Sequence, residues 1–440
     1  MKKSMIITLI AALSCAAPMA AQGYQENLKN ILEPYGFLRT YAIFDTRDSK
    51  AGSEDLFYYL PLDTSLNLEG QDIHSNPSFK MYAVTTRLGV NLKGFQYGLM
   101  KVTGKVETDF YLMNGTTASL RLREAYVNML WDGLGYMENK FSVKVGQAWH
   151  PMSADMPYCV NTETGSPFNP FNWSPQVMLT FGLSNGLSIT GGALYPMQFL
   201  PTGPSGESED YVKYGMVPEL YGGISYEGHG FTARAGADIL TLRPRWRTTD
   251  YSFTEDMFYD VGSRVNDRLS MVSPFVFLQY EGGMFKVNAK SVLASGGDHL
   301  RLMGGYALYD WRDPFNYVYT PIRSSSSFIS FCVGKQLQFM CMGGYMMTLG
   351  TQHNLPVKEN GYCDPTDIYY FSGGTRDVNR MFRVTPTIAY TVGKLTVALE
   401  YDNTTVEYGN VGKLDNYARP VEDLHMITNH RLLGVVRYNL

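Results

Sequence analysis

Residues 82–93 read Tyr82-Ala83-Val84-Thr85-Thr86-Arg87-Leu88-Gly89-Val90-Asn91-Leu92-Lys93. Successive side chains of a β-strand point to opposite faces. As one strand, this stretch places Tyr82, Val84, Thr86, Leu88, Val90 and Leu92 on an apolar face. Ala83, Thr85, Arg87, Gly89, Asn91 and Lys93 fall on a wet, basic one. The period recurs downstream: Val102, Gly104, Val106, Thr108 and Phe110 oppose Lys101, Thr103, Lys105, Glu107 and Asp109, and Phe231, Ala233, Ala235, Ala237 and Ile239 oppose Thr232, Arg234, Gly236 and Asp238. A soluble sandwich would alternate in the same way. Many such segments, an export signal, abundant aromatics, no helical membrane span and a patterned last strand together predict an all-β fold: a transmembrane antiparallel β-barrel of the bacterial outer membrane.

The two ends of the chain carry part of that reading. Met1-Lys2-Lys3, an apolar run from Met5 to Leu13 and small residues up to Ala20-Ala21 have the layout of a secretory signal. The apolar run is shorter than the roughly 20 residues that a helix needs to cross a bilayer. Cys15 lacks the leucine three residues earlier that a lipobox carries; Ala12 stands there. The expected division is therefore a signal peptide over 1–21, a short N-terminal segment over 22–34 with a helical turn or two ended by Pro34, and the barrel over 35–440. At the other end, Leu432, Val436, Tyr438 and Leu440 share one face, and Arg431, Arg437 and Asn439 the other. This patterned final strand resembles the C-terminal signal read by the barrel-assembly machinery, although that signal usually ends in Phe.

Composition narrows the function. The 440 residues carry a formal net charge of -4, and cleavage ahead of Gln22 removes Lys2 and Lys3 but no acid. A strongly basic nucleic-acid binder is excluded. The 32 Tyr and 23 Phe suit interfacial girdles, but would equally suit any all-β core. Cys159, Cys332, Cys341 and Cys363 follow the signal at spacings that match no zinc or redox motif. Cys332 and Cys341 flank a turn at Gly334-Lys335-Gln336 that would pair Cys332 with Leu337 or Phe339, so small apolar residues are expected rather than a bridge.

Short turns, such as Gly94 to Gly98, alternate with long irregular stretches at 46–79, 150–175, 196–217, 243–272, 351–380 and 403–427. This is the asymmetry of short periplasmic turns and long outer loops. With about 9–11 residues per span, the mature chain accommodates about 16 strands, enough to enclose an aqueous lumen. Two places resist simple alternation. Arg121 and Arg123 share parity with the apolar Ala125, Val127 and Met129, which a bulge would explain. Pro386, inside a strand, needs an edge or a bulge.

No catalytic motif appears: no nucleophile elbow, phosphate loop or His-Glu-x-x-His. The seven histidines are scattered and read as loop and rim residues, and neither a cofactor nor a metal ion is expected. The chain is not expected to be an enzyme. The positive finding is the polar face. Arg39, Arg87, Lys101, Lys105, Arg234, Lys286, Lys290 and Arg383 lie on it, with Arg121 and Arg123 joining them through the bulge. An Arg or Lys facing lipid at the midplane costs roughly 2–4 kcal/mol, so these residues are pore-lining candidates. They would either favour anions or pair with Glu107, Asp109, Asp238 and Glu400 as part of the wall. The stretch 150–175 is the candidate constriction: prolines stiffen it, and it carries His150, Tyr158, Phe168, Phe171 and Trp173. The alternative is an outer loop packed on the rim or on a neighbouring subunit.

Several segments resemble DcaP-like porins: Tyr35-Gly36-Phe37-Leu38-Arg39 with Asp45-Thr46-Arg47, Thr86-Arg87-Leu88-Gly89, Gly104 to Phe110, Leu122 to Val127, Gly146-Gln147 before Trp149, Ser174-Pro175-Gln176, Arg383-Val384-Thr385-Pro386 and Leu399-Glu400-Tyr401. Each is short and made of common strand residues. The resemblance implies a 16-stranded homotrimeric channel for small, often anionic solutes, and carries the basic lumen over to Arg39, Arg87, Lys105, Arg123 and Arg383. The N-terminal coiled coil of some members is not present here. The expected function is an outer-membrane porin, a passive diffusion channel for small hydrophilic solutes with a preference for anions, whose partners are those solutes, outer-membrane lipids and the assembly machinery. The rival readings are a substrate-gated transporter, a closed adhesive or structural barrel, and a soluble secreted β-protein.

Overall fold

The computed structural model describes residues 31–440 except 53–56, 114–116, 136–138, 161–164, 249–250, 255–256, 261 and 371–373. The expected signal peptide and residues 22–30 lie outside the described residues. No helix among the described residues is long and apolar enough to cross a membrane, which says nothing of crossing by strands.

Sixteen antiparallel strands close into a barrel. They are β1 Leu32–Asp45, β2 Arg87–Tyr97, β3 Met100–Met113, β4 Thr117–Leu134, β5 Asn139–Trp149, β6 Trp173–Gly182, β7 Leu187–Leu194 and β8 Glu219–Gly228, then β9 Phe231–Leu242, β10 Leu269–Gly282, β11 Phe285–Ser295, β12 Val318–Gly334, β13 Leu337–Thr351, β14 Val378–Val392, β15 Leu395–Tyr408 and β16 His425–Asn439. Closure is made by β1 and β16, in register from Phe37 opposite Asn439 to Asp45 opposite Arg431. Closure leaves no unpaired edge, the condition for a sheet to sit in lipid. On β16, Leu432, Val436, Tyr438 and Leu440 are exposed on the outer face, while Asn429, Arg431 and Leu433 are buried inside. Pro34 lies within β1, so the expected helical turn does not end there.

The stretch 82–93 is not one strand. Ser78–Tyr82 pairs with the upper half of β1, Arg87–Tyr97 with its lower half, and residues 83–86 bulge between them with Thr85 at a positive φ of 69°. The excursion reverses parity. Phe79 and Met81 face outward before it, and Leu88 and Leu92 after it. Tyr82 and Val84 therefore leave the expected outer face and pack with Tyr41, Ile43, Leu433 and Val435. The cause is local: the Arg39 backbone N–H and Nε donate to the hydroxyls of Thr86 and Thr85. A second register shift between Leu92 and Phe95 moves the turn from the expected 94–98 to Gly98-Leu99.

The bulge expected near Arg123 is present. Glu107 pairs with Glu124 but Thr108 with Leu122, leaving Arg123 as the extra residue. Arg121 and Arg123 turn inward, while Leu122 and Val127 stay exposed outside. Pro386 needs neither an edge nor a bulge. Val384 opposite Asn403 and Thr387 opposite Glu400 keep one register, and the ladder skips the pairs between them. The described cysteines are free; Cys332 sits opposite Met340 and Cys341 opposite Phe331.

Connections at one end are short, such as 229–230, 283–284 and 393–394. At the other end seven are long, 46–86, 150–172, 195–218, 243–268, 296–317, 352–377 and 409–424, and only the β3–β4 connection is short. The 296–317 connection has no counterpart among the expected loops. The 46–79 stretch carries a small hairpin, Ser49–Gly52 with Phe57–Pro61, whose second arm is wholly buried. The hairpin, the 150–172 loop and part of the 296–317 loop fold back into the lumen. The largest apolar cluster joins Phe57, Leu60, Met152, Phe168, Phe171 and Leu300 from the loops to Phe275, Phe277, Phe328, Met342 and Met381 of the wall.

Candidate functional site

The loop 150–172 leaves β5 and crosses to the wall formed by β9 to β15. Lys290 Nζ donates to the Met152 and Asp155 carbonyls and to Asn169 Oδ1, at 2.7, 2.7 and 2.8 Å. Asn288 Nδ2 donates to the Met156 carbonyl at 2.8 Å. The Tyr158 backbone N–H reaches Ser330 Oγ, and that of Val160 reaches Glu400 Oε2. Arg234 pairs with Asp155 and Glu227. Arg383 Nη1 donates to the Ser166 carbonyl and Nη2 to that of Tyr59, fastening both the loop and the hairpin arm. Phe57 and Phe171 meet at 4.5 Å between ring centroids, joining the two inserted segments.

This reassigns several expected residues. Lys290 and Arg383 point inward but are buried loop anchors, with no face left for solute. His150, Phe168, Phe171 and Trp173 are buried rather than presented at an aperture, and Trp173 belongs to β6 rather than to the loop. Tyr158 places its hydroxyl on Glu281, 3.1 Å away. Burial and that carboxylate raise the Tyr158 phenol above its ordinary value. Lys286 is half-exposed near Glu281 at the short-turn end.

The opposite wall holds the other basic candidates. Arg121 makes a two-point bond to Asp109 at 2.9 and 2.9 Å. Arg123 reaches Glu107 and Asp109 at 3.1 and 2.7 Å. Lys105 bonds Glu124 at 2.7 Å and lies 3.4 Å from Glu107. Arg87 stands 3.5 Å from Glu107. Arg39 packs its guanidinium against Phe37 and Tyr41. The Arg123 guanidinium lies over both Trp149 and Trp173, 5.1 and 4.5 Å from their centroids. Pairing with wall acids is thus real: Glu107, Asp109 and Glu124 hold Arg87, Lys105, Arg121 and Arg123 in place along this wall. A polar cavity of about 520 Å³ adjoins this wall, lined by Glu124, Tyr126, Asn128, Lys144, Trp149 and Gln176 among others.

A third constellation was not legible in the sequence. His150 and His299, 149 positions apart, meet Glu219 and Asp238 in full burial. Burial works against a charged ring at His150, but the Glu219 and Asp238 carboxylates outweigh it and hold the group up at about 9. The same opposition raises His299. Burial raises the Asp155 carboxyl, against the pull of Lys290 and Arg234. Glu219 and the hairpin arm escaped the sequence reading, Asp238 was expected only as a wall partner for the bases, and His299 only as a loop or rim residue. Only the parity of Lys144 and Asp238 on their strands hinted at an inward position.

A closed sixteen-stranded barrel, apolar outside and charged within, is a membrane-spanning β-barrel of the bacterial outer-membrane class. Its fold is similar to that of the outer membrane channel DcaP of Acinetobacter baumannii, with a TM-score of 0.63 at 14% identity over 93% of this chain and 97% of that chain. Fainter likenesses are to OmpT of Vibrio cholerae, at TM-score 0.49 and 13% identity over 93% and 97%, and to OmpF of Salmonella typhi, at 0.49 and 12% over 94% and 99%. At these identities the shared property is a porin-like fold. No protein-family model matches the chain, and no curated protein matches it.

Proposed function

We propose that this chain is a passive outer-membrane channel for small hydrophilic solutes, with a preference for anions. The observation that carries the reading is the division of the lumen. Loop anchors occupy the wall from β9 to β15, whereas the partly accessible bases and the polar cavity lie along β2 to β6. Arg87, Lys105 and Arg121 keep 18, 23 and 17% of their side-chain surface exposed. These accessible bases would give a passing anion a more favourable potential than a cation. A route there needs no energy source and no catalytic group.

The resemblance to DcaP-like porins adds a homotrimer to this reading. Purified protein in a planar bilayer under a salt gradient tests all three parts. Discrete steps arriving in threes, with an anion-selective reversal potential, are expected. A folded, inserted barrel that does not conduct overturns the channel reading in favour of a gated or adhesive barrel, for which the apolar loop core provides the seal.

A further inference from the structure

We propose that His299, Glu219 and Asp238 form a binding site for a divalent first-row transition-metal ion, with His150 as the positioning residue. The site is built where the loops 150–172 and 296–317 meet the ends of β8 and β9. It lies outside the basic wall on which the channel reading rests.

The geometry points to a shared cation. Every side chain involved is at most 1% exposed. His299 Nε2 lies 3.3 Å from Glu219 Oε1 and 3.4 Å from Asp238 Oδ2. Ligand bonds of about 2.0–2.2 Å in a tetrahedral site put neighbouring donor atoms roughly 3.3–3.6 Å apart, and these two separations match that spacing. Ion pairs between the rings and the carboxylates account for the cluster only in part. Both ring nitrogens of His299, both oxygens of Asp238 and Glu219 Oε2 are buried without a well-aligned hydrogen bond, the nearest contacts being ion pairs of 3.3–3.7 Å. Five such orphans within one dry cluster are costly unless something satisfies them together.

The surroundings supply outer-shell order of the kind that metal sites use. Asp298 Oδ1 stands 4.0 Å from His299 Nδ1, a buried carboxylate facing the ring nitrogen away from Glu219 and Asp238. The Met152 backbone N–H donates to His150 Nδ1 at 3.1 Å. His150 Nε2 lies 2.8 Å from Glu219 Oε1, so His150 orients that carboxylate. One imidazole and two carboxylates offer two negative charges, which a divalent ion neutralises. The donor set suits zinc, manganese or iron, not the all-oxygen shell of calcium or magnesium. A bound ion would staple the inserted loop, through His150 and Met152, to the wall and to the 296–317 loop.

The test is cobalt loading of full-length protein folded in detergent, with zinc as competitor. We expect one cobalt ion per chain, with d–d absorption in the visible that zinc abolishes. The band should vanish in His299→Gln and in Asp238→Asn, whose barrels are checked by heat-modifiable gel mobility. Substoichiometric cobalt in the folded wild-type barrel would overturn the proposal, leaving a cluster balanced by protons on the histidines. A band that survives in a folded His299→Gln variant would overturn it equally, by placing the ion elsewhere. Neither result bears on conductance.

Discussion

Lys290 Nζ lies 2.7 Å from the carbonyl oxygen of Met152, a bond that joins the inward face of β11 to the loop leaving β5, far around the barrel wall. The same ammonium also holds the Asp155 carbonyl and Asn169 Oδ1. A cation at this position is therefore a tether with three loop acceptors, and the loop's place inside the lumen depends on it.

Lys290→Met keeps most of the length of the side chain and removes the donor. Three buried acceptors lose their partner, at about 1–3 kcal/mol for each left unsatisfied. The barrel ladders of β11 do not involve the side chain, so the loss falls on the loop. The expected result is a barrel of unchanged heat-modifiable mobility whose 150–172 loop becomes open to protease, with larger conductance steps. A variant as protease-resistant as the parent, with equal steps, would show that the tether is redundant.

Gly344 on β13 and Phe168 in the loop are matched in size. A Cβ at position 344 would fall 2.5 Å from Phe168 Cγ, so only glycine admits the ring. Gly344→Ala should cost about 1–3 kcal/mol by overpacking and push the loop off the wall. Phe168→Ala alone should also loosen it, by removing the ring. The double variant should lie closer to the parent than the two losses summed, with coupling of about 0.5–3 kcal/mol. Thermal unfolding of the four proteins measures this cycle, and strictly additive losses would contradict the contact.

How much of this was legible in the sequence differs by level. The barrel class, the strand number and the inward bulge at Arg123 follow from period-two patterning, because a residue's face is fixed by its own strand. Parity failed at 82–86, where hydroxyls of Thr85 and Thr86 serve Arg39 and the chain loses its ladder for four residues. It also could not say what a loop does after leaving the wall. Lys290 and Arg383 lie on the inner face, but whether that face meets water or a returning loop depends on contacts more than a hundred residues away in sequence, such as Lys290 with Met152 and Arg383 with Tyr59. The histidine cluster was illegible for the same reason. His150 and His299 share no local spacing, and only the folding of two separate loops onto β8 and β9 brings them together.

Arg383 offers a sharper separation of roles than Lys290, because it holds two inserted segments at once. Its Nη1 serves Ser166 and its Nη2 serves Tyr59, while Nε bonds Thr404 Oγ1 on the neighbouring strand at 2.7 Å. Arg383→Lys keeps the charge but cannot reproduce a planar fork. It should release part of the loop structure, giving noisier channels with frequent sub-steps and little change in ion selectivity. A clear selectivity change with quiet channels would instead place Arg383 on the solute route.

Selectivity should respond to the β3–β4 wall. Asp109 accepts both bonds from Arg121 and one from Arg123, and it is buried. Asp109→Asn removes one negative charge beneath two guanidinium groups and leaves the bases in place. Breaking a buried pair in this way costs up to about 3–5 kcal/mol, so folding must be confirmed first. In the folded variant the reversal potential should move further toward the anion, and Arg121→Ala should move it the other way. Both shifts should shrink between about 0.1 M and 1 M salt, where the screening length falls from roughly 10 Å to 3 Å. Opposite signs for the two variants are the required outcome. Shifts of the same sign would mean that the substitutions act by moving the loop rather than by changing the charge along the route.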